Sequence, residues 1–107
     1  MDEIPEVDVE AAKSHLDAGD ALFVDIRDPG SYGEAHVPGA THIGDHNVQQ
    51  FVNETDPDQR VIVYCYHGHS SLGAVAYFRE HGLENVASMR GGFEGWRGRH
   101  PHEGGAG

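Results

Sequence analysis

Val61-Ile62-Val63-Tyr64 is an unbroken apolar run that leads straight into a polar, glycine-containing loop. A strand without polar alternation must be covered by protein on both faces, which is the situation of a parallel sheet packed between helices. Ala21-Leu22-Phe23-Val24 and Val86-Ala87-Ser88-Met89 read as strands of the same kind, and Thr41-His42-Ile43 as a shorter one. Helical stretches with their own start and stop signals lie between them. Asp8 caps a helix over about Val9 to Ala18 that Gly19 ends, and Asp28-Pro29 opens a short helix through about Ala35. A helix runs from about Asp45 to Val52, another from about Ser71 to His81 with Gly82 as its stop, and a last short one follows Gly91-Gly92. This alternation implies an α/β fold with a central, mainly parallel sheet and helices on both faces. Residues 1–100 form a single domain on this reading, and the glycine-rich stretch 101–107 reads as a flexible tail.

The only cysteine of the chain, Cys65, closes the central apolar run. The carboxyl end of a buried strand, just before a helix, is where open α/β sheets place their ligand sites. The helix start offers unpaired N–H groups and the positive end of a dipole, a setting that favours anions, thiolates included. An ordinary thiol is only about 3% ionised at neutral pH, and lowering its pKa by about two units makes the thiolate the majority form. Cys65 is therefore the candidate nucleophile. A buried structural thiol is the competing reading, since cysteine also packs as a small hydrophobe.

The 107 residues carry 18 acidic and 7 Lys or Arg side chains, a formal charge of −11. Such a surface repels nucleic acid and anionic membranes, so neither is expected as a partner. The charge reads as solubility or, with Lys13 the only lysine, as adaptation to high salt. One cysteine excludes an internal disulfide and fits a reduced, cytoplasmic setting. No leader pattern is evident at the amino end, and no apolar stretch approaches the roughly 18 residues of a membrane span.

Nine histidines make chance pairs common, and none of their spacings matches a strong zinc signature. His67 and His69 read instead as hydrogen-bond donors lining a pocket, as histidine side chains that gain charge at lower pH. No metal or cofactor is expected. Asp25 and Arg27, at a strand end, read as a pair that holds loops rather than as catalytic groups. Trp96 reads as core, and Gly91 and Gly92 as turn and packing residues.

Four segments together carry a family resemblance: Val24-Asp25-Ile26-Arg27-Asp28, Ala35-His36-Val37-Pro38-Gly39-Ala40, the loop Cys65-Tyr66-His67-Gly68-His69-Ser70-Ser71, and Gly91-Gly92-Phe93-Glu94-Gly95-Trp96. In this order, and across nearly the whole chain, they resemble the rhodanese family of sulfurtransferases. The Cys65 loop is most similar to that of the family's small single-domain thiosulfate sulfurtransferases, with His69 where asparagine is expected.

The resemblance implies a three-layer rhodanese-like fold and transfer of sulfur from thiosulfate. In that chemistry the Cys65 thiolate attacks the outer sulfur of thiosulfate, sulfite leaves, and Cys65 holds a persulfide. Backbone N–H groups of Tyr66, His67, Gly68, His69, Ser70 and Ser71 would bind the dianion and the persulfide. Cyanide, or a dithiol such as thioredoxin, would then take the sulfur, because the chain has no second cysteine to do so.

Two other classes compete. A cysteine phosphatase or arsenate reductase needs an arginine where this loop has Ser71, to clamp a tetrahedral oxyanion. A rhodanese-like binding module without catalysis would be expected to lack the cysteine.

Overall fold

The computed structural model describes residues 3–104. The strands are β1 (Glu6–Val7), β2 (Leu22–Asp25), β3 (Thr41–His42), β4 (Val61–Tyr64) and β5 (Val86–Met89). The helices are α1 (Val9–Ala18), α2 (Pro29–Glu34), α3 (Val48–Glu54), α4 (Ser70–Glu80) and α5 (Gly92–Arg97). The five strands form one sheet in the order β1-β5-β4-β2-β3, and every pairing is parallel.

Strand β4 lies at the centre with all four residues buried, as its unbroken apolar run requires. Ile62 and Tyr64 face a cluster with Val9, Ala12, Phe93 and Trp96, contributed by α1 and α5. Val61 and Val63 face Val52, Val75 and Phe78, contributed by α3 and α4. The period of two along one strand thus produces the three layers. Trp96 is fully buried, as expected of a core residue.

Local capping matches the sequence reading. The Asp8 carboxylate accepts from Ala11 N–H at 2.7 Å, and Gly19, at φ 70°, donates to the carbonyls of His15 and Leu16. Asp28 accepts from Ser31 N–H at 2.9 Å, with Pro29 in the first turn of α2.

Three details differ. The helix expected from about Asp45 starts at Val48, because the Asn47 amide bonds Gly44 N–H and the His42 carbonyl and holds the preceding residues in a turn. Strand β1 has no counterpart in the sequence reading; it exists because Ser88 N–H and Arg90 N–H donate to Pro5 and Val7 on the sheet edge. Within the stretch read as a tail, Glu103 exchanges backbone hydrogen bonds with His36 and its carboxylate accepts from Gly39 N–H, while Pro101 accepts from the Trp96 indole. Residues 105–107 of that stretch lie outside the described residues.

Candidate active site

Strand β4 delivers Cys65 to the carboxyl edge of the sheet, and α4 begins at Ser70. The intervening loop turns back over the sulfur. Gly68 N–H and Ser71 N–H each donate to Cys65 Sγ at 3.2 Å, and the Ser71 hydroxyl lies 3.3 Å from it. Cys65 is 4% exposed, at the floor of a cavity of about 420 Å³ lined also by Tyr66, His67, His69 and Ser70.

Burial pushes the thiol pKa up. Bonds from the Ser71 hydroxyl and N–H, then from Gly68 and His67 N–H, push it down by more, so it lies below its ordinary range. The start of α4 adds the favourable end of its dipole. The site therefore stabilises negative charge on sulfur without a cationic side chain bonded to it.

This loop conformation depends on distant backbone. Gly68 has φ 92°, and a Cβ there would lie 3.0 Å from Gly91 N and 3.2 Å from Met89 O. A side chain at 68 is thus excluded by conformation and by space. Gly92 packs closer still: its Cβ would stand 2.4 Å from Tyr66 O. That approach lets Phe93 N–H and Glu94 N–H donate to the Cys65 and Tyr66 carbonyls at 2.9 and 3.0 Å. Tyr66 is further tied by its hydroxyl to the Asp28 carboxylate and to Ser31 Oγ at the start of α2.

The structure thus gathers Cys65, His67, Gly68 and Ser71 around the sulfur, with Tyr66, His69 and Ser70 on the cavity wall. Two features escaped the sequence reading. Ser71 was read only for its backbone, yet its fully buried hydroxyl reaches the sulfur. Ser88 on β5, also fully buried, lies behind it with Oγ 2.7 Å from Ser71 Oγ. A serine in an otherwise apolar strand was the available signal.

Asp25 and Arg27 sit at the end of the neighbouring strand. The Asp25 carboxylate accepts from Arg27 N–H at 2.8 Å and from its guanidinium at 2.7 Å. Arg27 Nη2 also donates to Ala35 O at 2.6 Å, and the guanidinium lies 4.2 Å from the Phe93 ring centre. Burial works against the guanidinium charge, but Asp25 outweighs it and holds Arg27 above its usual pKa. The pair fastens the loop after α2 to the sheet. Three further histidines have separate partners: His42 on Arg27 O, His100 on Glu10 and His102 against Phe93. Among the described residues no three His, Cys, Asp or Glu side chains converge on one point, and no helix is long and apolar enough to cross a membrane.

Comparison with known proteins supplies relatives. Residues 8–99 match the family model described as the rhodanese-like domain. Thiosulfate sulfurtransferase GlpE of Pseudomonas entomophila is 45% identical over 103 residues, 96% of this chain and 94% of that protein. The rhodanese-like domain of the Anabaena Alr3790 protein superposes with a TM-score of 0.84 at 26% identity, over 95% of this chain and 80% of that one. RPA3614 of Rhodopseudomonas palustris, described as a possible tyrosine phosphatase, superposes with a TM-score of 0.80 at 27% identity, over 94% of this chain and 85% of that one.

Proposed function

We propose that this chain, which belongs to the rhodanese-like domain family, is a thiosulfate sulfurtransferase that carries sulfur as a persulfide on Cys65. The observation that carries this reading is the convergence of Gly68 N–H, Ser71 N–H and the Ser71 hydroxyl on one sulfur atom. The identity to a thiosulfate sulfurtransferase along almost its full length supports the choice of donor.

In the first half-reaction the Cys65 thiolate attacks the outer sulfur of thiosulfate. A Cys65 S–S bond forms, the S–S bond of thiosulfate breaks, and sulfite departs with its electron pair. No general base is needed, because the attacking group is already deprotonated. The loop N–H groups stabilise the incoming dianion and then the persulfide. In the second half-reaction cyanide, or one thiolate of a dithiol such as thioredoxin, attacks the outer persulfide sulfur and Cys65 leaves as thiolate. The acceptor is external, since the chain has no other cysteine. A cytoplasmic location, where dithiols are kept reduced, suits that step.

A phosphatase reading has the possible tyrosine phosphatase neighbour in its favour. Against it stands Ser71, whose side chain turns inward to Cys65 and Ser88 where an oxyanion clamp would need arginine. Intact mass after incubation with thiosulfate tests the proposal. One sulfur atom should be added and then removed by cyanide as thiocyanate, with no aryl phosphate hydrolysis. Loss of phosphate from an aryl ester at a rate matching sulfur transfer would overturn the proposal, as would sulfur loading of Cys65→Ser.

A further inference from the structure

We infer that Ser88 is a positioning residue for the nucleophile, its hydroxyl setting the direction of the Ser71 hydroxyl so that the Ser71 proton points at Cys65 Sγ. The inference rests on Cys65 being the nucleophile and extends that reading to a residue on a different strand.

The three groups form a short chain. Ser88 Oγ lies 2.7 Å from Ser71 Oγ, which lies 3.3 Å from Cys65 Sγ, and both serines are fully buried. Ser88 N–H is already committed to Pro5 O at 2.9 Å. Among the described residues the Ser88 hydroxyl has one hydrogen-bond partner, Ser71 Oγ. A buried hydroxyl proton left without an acceptor is costly, so the Ser88 proton goes to Ser71. The Ser71 proton is then free to point at the sulfur.

Proton counting shows what this order favours. The chain has two links, Ser88 to Ser71 and Ser71 to Cys65. When Cys65 is a thiolate there are two protons for two links, and each has a place. The inner sulfur of a persulfide likewise only accepts. A thiol brings a third proton, and the link to Ser71 is already occupied by a donor. The array therefore fits both forms of Cys65 that take part in sulfur transfer and disfavours the protonated thiol, each hydrogen bond polarising the next.

Packing alone does not call for this hydroxyl. Ser88 lies between Ala87 and Met89, in register with Val63 of the apolar strand β4, and alanine would fill nearly the same volume. Ionisable groups around the site are His67 and His69 on the loop, Asp25 at the end of β2 with Arg27 just after it, Asp28 bonded to Tyr66, Glu6 paired with Arg90 at the ends of β1 and β5, and Glu94 on α5. The first turn of α4 has no acidic residue. These groups are unchanged in serine variants, so a difference among variants reports the hydroxyl chain.

The test is a pH titration of the Cys65 thiolate, followed by ultraviolet absorbance and by the rate of iodoacetamide alkylation with no sulfur donor present. Ser88→Ala should leave about three- to tenfold less thiolate below the titration midpoint, and Ser71→Ala about tenfold less or lower. The double variant should match Ser71→Ala alone, since Ser88 acts only through Ser71. Ser88→Thr, which keeps the hydroxyl on a β-branched residue suited to a strand, should keep the wild-type midpoint. A Ser88→Ala thiolate fraction within twofold of wild type below the midpoint would overturn the inference. So would a full Ser88→Ala effect in the Ser71→Ala background, or a raised midpoint in Ser88→Thr. Failure of thiosulfate to load sulfur onto a protein that titrates as expected would count against the sulfurtransferase reading and leave the hydroxyl chain standing.

Discussion

The ends of β2 and β4 lie side by side, with Asp25 in register with Tyr64, and each strand runs through a loop into a helix. They treat charge in opposite ways. At the end of β2 the Asp25 carboxylate meets the N–H and guanidinium of Arg27, so a buried charge is fully paired within the fold. At the end of β4 backbone N–H groups and a hydroxyl converge on a sulfur atom that gains full use of them only when it is negative. The first arrangement is complete and inert. The second is completed by ionisation or by substrate, and an open cavity leads to it. The same turn of chain makes a brace when it is self-satisfied and, on the proposed function, a reactive centre when it is not.

The largest effect that separates the two ends should come from Cys65→Ser. Sulfur transfer from thiosulfate to cyanide, read as thiocyanate, should fall by at least about 10³-fold, because no other group in the chain supplies a thiolate. Urea unfolding of the same variant should remain cooperative. The neighbouring strand end should behave in reverse. Arg27→Leu leaves Asp25 buried without its cation and should cost about 3–5 kcal/mol in urea unfolding, with the surviving folded protein still loading sulfur. A large loss of activity in that variant without a loss of stability would mean that Arg27 acts on substrate, and the contrast would fail.

Gly68→Ala should act mainly on the sulfur end. A side chain at φ 92°, pressed against Gly91 N and Met89 O, must shift the loop and with it the Gly68 N–H. Losing one donor to developing charge costs on the order of 10²-fold in kcat. Single-turnover persulfide formation, followed by mass, measures that step.

Next comes pH. Because the Cys65 pKa is lowered, the thiolate persists below the pH at which an ordinary thiol protonates. The kcat/KM for thiosulfate should therefore be level on the alkaline side and fall only as pH drops through the lowered value. A profile that keeps rising up to the ordinary thiol range would contradict the hydrogen-bond account. The smallest effect should be that of salt. A net charge of −11 repels a dianion over long range, whereas the loop donors act at contact. Raising sodium chloride to about 0.15 M, where the Debye length is about 8 Å, should leave KM for thiosulfate unchanged or slightly lower. A steep rise in KM would point to a concentrated basic site governing capture.

Local signals made much of this molecule readable before any coordinates. The apolar run Val61–Tyr64 fixes a buried central strand, and Asp8, Asp28-Pro29 and Gly19 mark helix ends by their own chemistry. The place of Cys65 between that strand and a helix marked the loop, and the family resemblance supplied the range Tyr66–Ser71, from which Gly68 and Ser71 N–H donate to the sulfur. What could not be read was held together by long-range contacts. Strand β1 is two residues long and is defined by bonds from β5. The start of α3 was misplaced because the Asn47 side chain ties down the turn before it. Ser88 and Gly92 act on the site from a different strand and a different helix, and no periodicity along the chain announces a hydroxyl behind a serine or a glycine against a distant carbonyl.

The closing of the loop by later residues has a consequence for the order of events during synthesis. Gly68 rests on Met89 and Gly91, and the carbonyls of Cys65 and Tyr66 are fastened by the N–H groups of Phe93 and Glu94. A chain growing from its amino end should expose an unremarkable thiol until the segment through Glu94 has emerged and docked. The donors converge on the sulfur only then. Copies that end before Glu94 should therefore carry a thiol of ordinary acidity, and the lowered pKa should arrive only with the last strand of the sheet and the turn that follows it.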